Sequence, residues 1–516
     1  MNLLEELLKG AINVQELSSF ININIESFHR LYDQPFSTLS LHKESIKEFI
    51  DKKSTLLEQL DYSISQNRAF ISLLFDFCEL FGFISTVRIE NTLRKKDLYL
   101  GKRREAAKLY LLNVKNNSDY LDRFDQICFN LQCAVDTEED DKKTALITFI
   151  NYYAKVVLDT SDFIIIPLRK KITSARAVSQ YVFILDPLIE EILSIDLSDI
   201  DKAYAAIQEV KYQYVNRSIA PVTDYRTKSD KLLIEKDTEY SDYLSGRKVN
   251  YEIIKRFANE KCRHITERLS GRGVSPLSSV NELYLYLRDY GNMHKAKILS
   301  AIKSIQFRNI NEPVTIIDWG CGQGLASFFM LQYLSKSGVN LNINEIILIE
   351  PSEVAIKRAA LHLTLLDKNI PLRTINCAFK DVEKELIITK TSDVKLHLFS
   401  NVLDIGEEYI SHDDLFGLIE GTQKNQNIFI CVSPYINDFK ADRVDSFMRY
   451  YTKNITFNMI KSKNSSKNSD DLYWLCNTRY MHGVKSHGQH SDCGSCNDEG
   501  CNKKWTRVIR VFSVNL

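Results

Sequence analysis

The chain has 516 residues, 44% hydrophobic and 26% charged, with 67 basic and 67 acidic side chains and a formal net charge of zero. Those fractions are ordinary for a soluble globular protein, and the charge balance gives no global signal for nucleic acid. The length is too great for one hydrophobic core, so two or three domains are expected, and no apolar run reaches the ~18 residues a membrane span needs.

Met1 to Gly10 carries Glu5, Glu6 and Lys9 among leucines. Without a basic start and a long apolar stretch it does not read as a signal peptide. Eleven cysteines spread along such a chain suggest a reducing, cytoplasmic setting.

Residues 1–215 are expected to form a helical N-terminal domain. Leu39–Leu60, Arg104–Val114 and Leu146–Leu158 have apolar residues at helical spacing, and Ala69–Phe83 is apolar enough for a buried helix. The acidic run Asp136–Asp141 reads as a solvated loop. Two basic clusters stand out: Arg94, Lys95, Lys96, Lys102, Arg103 and Arg104, with Tyr99 between, and Arg169, Lys170, Lys171 and Arg176. They read as solvated helix faces or as a phosphate-contacting surface for RNA or DNA. From 216 to 278 the pattern thins to a linker and connecting helix. Ser279 to Ile305 then reads as one long helical segment crowded by Tyr284, Tyr286, Tyr290, His294, Lys295 and Lys297.

The remainder, 279–516, is organised around Val314-Thr315-Ile316-Ile317-Asp318-Trp319-Gly320-Cys321-Gly322-Gln323-Gly324. A β-branched run ends in an acid, glycines follow at alternate positions, and an amphipathic stretch, Leu325–Ser337, begins at once. That is strand, tight loop, helix. Glycines permit positive φ and let backbone press against a ligand, and the helix start aims free N–H groups into the same space. Glu345–Glu350 is a second buried-type strand ending in a carboxylate, which can accept two hydrogen bonds from a ribose diol. Leu372–Ala378, Leu396–Val402 and Asn427–Val432 read as further strands. A helix begins near Asp413 and another runs from Asp442 to Tyr451. Leu472–Asn477 and Thr506–Val514 are candidates for a closing antiparallel pair. Alternating strands and helices predict a mostly parallel sheet with ligands at the strands' carboxyl ends.

Neither glycine frame closes G-x-G-x-x-G, since Leu325 and Ser327 fall at the final position. With Asp318 two residues before the loop, Glu350 at the next strand tip and Leu396–Ile405 as fourth strand and following loop, 279–516 resembles the class I (Rossmann-like) S-adenosylmethionine-dependent methyltransferases. The resemblance implies a seven-stranded, mostly parallel sheet behind the helical N-terminal domain, and S-adenosylmethionine as cofactor. Asp318 would orient the loop or reach the methionine amino group. Gly320, Gly322 and Gly324 would let backbone approach the cofactor, and Glu350 would hold the ribose. Phe379 would stack on adenine, although the acid often found just after strand three is absent and Asp381 comes a little later. Tyr290 and His294 would face the pocket from a lid helix, or their segment would pack between domains. Ser400, Asn401 and Asp404 sit where the methyl acceptor should lie, with Asn401 and Asp404 the catalytic candidates. His397, inside the strand, reads as core.

Between the last strands 478–504 reads as a Cys/His-rich insertion, with Cys493-x2-Cys496, Cys501 and His490. This is ligand spacing for tetrahedral zinc, with iron–sulfur ligation through Cys476 a weaker option and a loop with incidental thiols the plain alternative. In architecture the whole is similar to the methyltransferase-like assembly proteins of the small ribosomal subunit.

The functional expectation is a methyltransferase acting on a macromolecular acceptor, RNA or protein, without a membrane partner. The alternative is an inactive methyltransferase-fold binding or assembly factor, and a nicotinamide-dependent oxidoreductase stands third. Oligomeric state is not legible in the sequence.

Overall fold

A computed structural model describes residues 6, 13–32, 34, 36–83, 85–96, 98, 101–112, 114–136, 142–216, 232–263, 265, 269, 276–406, 410–435, 438–465, 496–497, 500–501 and 507–516. The chain forms two compact units: residues 1–219 with 436–442, and residues 220–435 with 443–516.

In the first unit the elements described within 1–219 are all helical. Ser65–Phe81 is apolar on nearly every side and correspondingly buried from Ala69 to Glu79, as expected of a helix packed all round. It also carries two acids, Asp76 and Glu79, into the interior. Their partners come from the helix Lys102–Leu111. Arg104 donates to both oxygens of Asp76 (2.9 and 2.7 Å), and Arg103 to Asp76 (2.6 Å) and to Glu79. Thr148 on the helix Lys142–Asp159 completes Glu79. Buried charges are tolerable only when paired and hydrogen-bonded in this way. The first basic cluster is therefore not one surface. Arg103 and Arg104 are internal, while Lys95 pairs with Glu58 and Lys102 with Glu105 at the exterior. In the second cluster Arg176 pairs with Glu190, Lys171 with Asp125, and Arg169 donates to the Tyr153 hydroxyl.

The second unit is a seven-stranded sheet. Its strands are β1 (Val314–Trp319), β2 (Ile343–Ile349), β3 (Leu372–Ile375), β4 (Val394–Ser400), β5 (Gln426–Ser433), β6 (Asn458–Ser465) and β7 (Arg507–Asn515). The spatial order is β3-β2-β1-β4-β5-β7-β6. β1 to β5 are parallel, and β7 runs antiparallel between β5 and β6. The expected fold class is thus the observed one. The closing pair differs in membership: β7 pairs with 458–465, and Leu472–Asn477 lies outside the described residues.

Strand alternation divides the core. Ile316, Leu348, Leu396 and Ile430 face a cluster that includes Leu287 and Ile298. On the other face His397, Phe429 and Phe512 stand in register across β4, β5 and β7 and stack at 4.5 and 4.8 Å between ring centroids. Trp319 donates to His397 Nδ1 (3.1 Å) and His397 Nε2 meets Asn427 Oδ1 (2.9 Å). Both ring nitrogens are spoken for, so His397 is a core residue, as its place within a strand implied.

Two expectations change. The segment predicted as one helix from Ser279 is two, α1 (Val280–Asp289) and α2 (Gly291–Ile302). A Cβ at Gly291 would lie 2.4 Å from the Tyr251 hydroxyl, so the chain is bare there because another helix presses on it. And 232–263, expected as linker and connecting helix, is part of the core. Its helices Glu239–Leu244 and Tyr251–Lys261 bury Tyr240, Leu244, Ile254 and Phe257 in the sheet's own core. Glu235 accepts two bonds from Arg358, which is wholly buried and lies 3.8 Å from the centre of the Tyr240 ring. Residues 217–231 lie outside the described residues.

Replacing Glu235 by Leu strands the Arg358 charge and is expected to destabilise this unit by about 3–5 kcal/mol, while adding Arg358→Met restores most of the loss. Urea unfolding followed by tryptophan fluorescence reads Trp319 of this unit, since residues 1–219 and 436–442 of the first unit contain no tryptophan. A cost under ~1 kcal/mol for the single variant would mean that the pair does not hold 232–263 in place.

Candidate functional site

The loop after β1 turns through left-handed backbone at every second residue: Gly320 has φ +63°, Gly322 +52° and Gly324 +75°. Side chains disfavour such φ, which is why glycine recurs. Cys321 N–H donates to Ile349 O (2.9 Å) and Gly324 N–H to Cys321 O (2.8 Å), tying the loop to β2 and to itself.

The three glycines serve different neighbours. At Gly324 a Cβ would meet the Ala359 Cβ at 2.8 Å and its Cα at 3.0 Å, so this glycine lets α3 (Leu325–Lys336) start against α4 (Glu353–Leu366). At Gly320 a Cβ would meet Val402 at 2.9 Å and Phe379 at 3.4 Å. Only Gly322 of the three has nothing within 4 Å of its missing Cβ. The open approach expected of all three is therefore concentrated at Gly322, because the protein's own side chains use the other two.

Asp318 sits beneath the loop, fully buried. Its Oδ2 accepts the Ser327 N–H (3.2 Å) and hydroxyl (2.6 Å), satisfying an otherwise unpaired donor in the first turn of α3. Burial pushes its carboxyl up to about 6, against those hydrogen bonds. Of the two roles expected for it, orienting the loop is the one the contacts display.

Glu350 follows β2 directly. Its Oε2 accepts the Gly322 N–H and its Oε1 the Ser352 N–H, both at 2.9 Å. Burial pushes this carboxyl up to about 7, while the Ser352 and Gly322 N–H groups pull the other way. Each oxygen has a second lone pair, so the group can still accept from a ligand. Asn376, at the end of β3, pins the turn by donating to the carbonyls of Glu350 (2.8 Å) and Pro351 (2.9 Å). Nothing in the local sequence singled Asn376 out.

Phe379 and Asp381 lie in the short 3-10 turn after β3. Phe379 is buried, edge-on to Trp319 at 5.8 Å and beside Gly320. Asp381 is exposed, and no side-chain contact joins it to the glycine loop among the described residues.

On the acceptor side Asn401 follows β4 in left-handed conformation (φ +60°), its N–H donating to Val432 O (2.8 Å). Lys297 Nζ donates to its Oδ1 (2.8 Å). Asp404 accepts the Ser433 hydroxyl (2.9 Å), a residue of β5. From α2, His294 Nε2 lies 2.6 Å from Ser400 Oγ, and its Nδ1 is 3.2 Å from the Tyr286 hydroxyl. Burial, with Lys297 adding, pushes the His294 imidazole down to about 3. Tyr290 is half-buried at the break between α1 and α2, its ring 5.6 Å from that of Tyr286. Lys297 was one lysine among several in the sequence. Its distinguishing signal was position, three residues after His294 on the same helix face.

The zinc set stands differently. Cys496 and Cys501 are backbone partners in a two-residue antiparallel ladder, while His490 and Cys493 lie outside the described residues. Among the described residues no group of three His, Cys, Asp or Glu side chains could hold a metal ion, and no helix is long and apolar enough to cross a membrane.

The strand order, with its reversed penultimate strand, and the glycine loop at the carboxyl ends give the second unit the class I methyltransferase fold. No protein-family model matches the chain, and no curated protein does. Solved structures do. One is a Listeria monocytogenes protein described as a class I S-adenosylmethionine-dependent methyltransferase (9% identity, 74% of this chain and 89% of that one, TM-score 0.30). Others are the plantazolicin methyltransferase BpumL with S-adenosylhomocysteine (18%, 51% and 98%, 0.26) and a geranyl diphosphate C-methyltransferase from Streptomyces coelicolor A3(2) (12%, 51% and 97%, 0.24).

Gly322→Ala meets only backbone strain, about 1 kcal/mol. Gly324→Ala meets the same strain plus a clash with the α4 backbone and is expected to cost about 3 kcal/mol or more. Equal urea midpoints for the two would show that α3 and α4 do not meet as described.

Proposed function

We propose that the second unit binds S-adenosylmethionine and that the chain is a methyltransferase with a macromolecular acceptor, RNA or protein. The observation that carries this reading is the pairing of Gly322 with Glu350. Bare left-handed backbone facing open space lies one hydrogen bond from a buried carboxylate with acceptor capacity left over. The cofactor, when bound, supplies a methyl group activated on a sulfonium. The chain's residues position and desolvate. Glu350 accepts ribose hydroxyls, Gly322 lets backbone come close, Asp318 holds the loop and α3 in register, and Phe379 offers a ring beside Gly320 for the adenine. Tyr290, at the break between α1 and α2, would close over the bound cofactor. Asn401, held by Lys297, and Asp404, held by Ser433, orient the acceptor.

His294 is a poor general base despite its place beside Ser400. An imidazole that protonates only near 3 accepts a proton from a group of pKa ~9 at a cost of roughly 8 kcal/mol. His294 therefore serves to position Ser400, and an acceptor with a free lone pair of its own, such as a ring nitrogen, needs no proton removed by it. The helical first unit adds surface suited to selecting a large acceptor.

A second reading, a binding or assembly factor without turnover, draws on two contacts: both Glu350 oxygens already accept backbone N–H groups, and Val402 and Phe379 pack onto Gly320. Calorimetry of the full chain with S-adenosylmethionine separates them. Under the first reading binding is expected and Glu350→Ala weakens it at least tenfold. Well-folded protein that binds nothing leaves the second.

The pH dependence has a definite sign. Ribose donors favour the ionised carboxylate, and Glu350 protonates near 7. Roughly one tenth is ionised at pH 6 and nine tenths at pH 8, so affinity should be about tenfold lower at pH 6. Glu350→Gln should flatten that dependence. Undiminished wild-type affinity at pH 6 would remove Glu350 from the binding site.

A further inference from the structure

The glycine loop is also held by a histidine from α4. His362 is wholly buried. Its Nδ1 lies 3.0 Å from the Gln323 carbonyl oxygen and its Nε2 2.7 Å from the Tyr240 hydroxyl. A carbonyl can only accept, so Nδ1 carries the proton. Nε2 is then the bare nitrogen, and the Tyr240 O–H donates to it. Burial, with the Arg358 charge adding, pushes the imidazole down to about 3, so it stays neutral with a single ring proton to place. Tyr240 stands on the helix Glu239–Leu244, in the segment 232–263.

The bond to Gln323 does not end there. The Gln323–Gly324 peptide is planar and trans, so its oxygen and its N–H point opposite ways. The oxygen accepts from His362, and the Gly324 N–H donates to Cys321 O (2.8 Å). That oxygen belongs to the Cys321–Gly322 peptide, whose N–H donates to Glu350 Oε2 (2.9 Å). Hydrogen bonds therefore run head to tail, Tyr240 to His362, His362 to Gln323, Gly324 to Cys321 and Gly322 to Glu350. Every donor points the same way, toward the carboxylate. Bonds in such a chain polarise and strengthen one another. Rotating either peptide plane would break two of them at once, so the chain also fixes the direction of the Gly322 N–H. The Gln323 side chain adds a tether, its Nε2 donating to Leu283 O of α1 (3.0 Å).

We propose that Tyr240 and His362 are positioning residues of the glycine-loop site: through two peptide groups they hold the Gly322 N–H on Glu350, and so set how well that carboxylate receives a ribose. The part concerning the ribose rests on the S-adenosylmethionine reading of the site; the hydrogen-bond chain does not. The segment 232–263 thereby acts on the site through His362.

The test uses the full chain and Tyr240→Phe, which removes one oxygen atom. Tyr284→Phe is the control for losing a hydroxyl in the same core: its ring centroid is 6.0 Å from that of Tyr240, and it stands outside the chain of bonds. In protein carrying isotope-labelled glycine, the Gly322 amide is identified by its absence in Gly322→Ala. Its proton is expected to move upfield in Tyr240→Phe, as a weakened bond to Glu350 requires, and to stay in place in Tyr284→Phe. By calorimetry, S-adenosylmethionine is expected to bind about three- to tenfold more weakly to Tyr240→Phe and within about twofold of wild type to Tyr284→Phe. His362→Leu should lose at least about tenfold, and His362→Asn, whose side-chain N–H can stand in for Nδ1–H, should recover part of that loss. A Gly322 amide indifferent to Tyr240→Phe overturns the proposal, and so does S-adenosylmethionine bound equally by wild type and Tyr240→Phe. Wild-type protein that binds no S-adenosylmethionine, while its Gly322 amide still answers to Tyr240→Phe, removes the methyltransferase reading and leaves the chain of bonds standing.

Discussion

The second unit depends on one buried carboxylate gripping two loops. Glu350 takes an N–H from Gly322, in the turn after β1, and another from Ser352, at the start of α4. Without it the two turns would have only backbone contacts to fix their spacing. With it they form a single rigid rim, which is what preorganised binding requires. The arrangement costs desolvation, visible in a carboxyl held near 7 rather than near 4.5. A group so destabilised in its charged form gains more than a solvated one from each further donor. The structural bond and the binding capacity are therefore two aspects of the same choice. Asp318 works in the same manner one layer down, between β1 and the start of α3.

What could be read from residues alone follows from how local the cause was. The glycine loop and Glu350 were legible because a β-branched run, an acid and left-handed turns are consequences of a few neighbouring residues. The break at Tyr290–Gly291 was not. It follows from Tyr251 pressing on Gly291, a contact across forty residues that leaves no mark on helical periodicity. The stretch up to Asn250 looked like a linker, with the helix from Tyr251 expected after it, because its apolar residues are spaced among charges, and one of those charges, Glu235, goes inward to meet Arg358. Arg103 and Arg104 looked like surface for the same reason: their partners sit on a different helix, and a charge pattern cannot show that an arginine has a buried carboxylate waiting for it. The last strand was placed correctly, but its neighbour at 458–465 is polar enough on paper to pass for a loop.

Buried charge thus recurs in both units, and burial alone does not separate scaffold from site. Counting hydrogen bonds does. Asp76, Glu79, Arg103 and Arg104 form a closed set in which each charge is answered by another or by a hydroxyl. Such a set holds helices together and has little left to offer a ligand. His397, locked between Trp319 and Asn427, is closed in the same way. Lys211 with Asn151 is open: one donor has found an acceptor, and its neighbours Asn151 Nδ2 and the Tyr110 hydroxyl have not. Glu350 is intermediate, satisfied enough to be rigid and with lone pairs to spare. Each open buried polar group costs a noticeable part of a stability margin of roughly 5–15 kcal/mol.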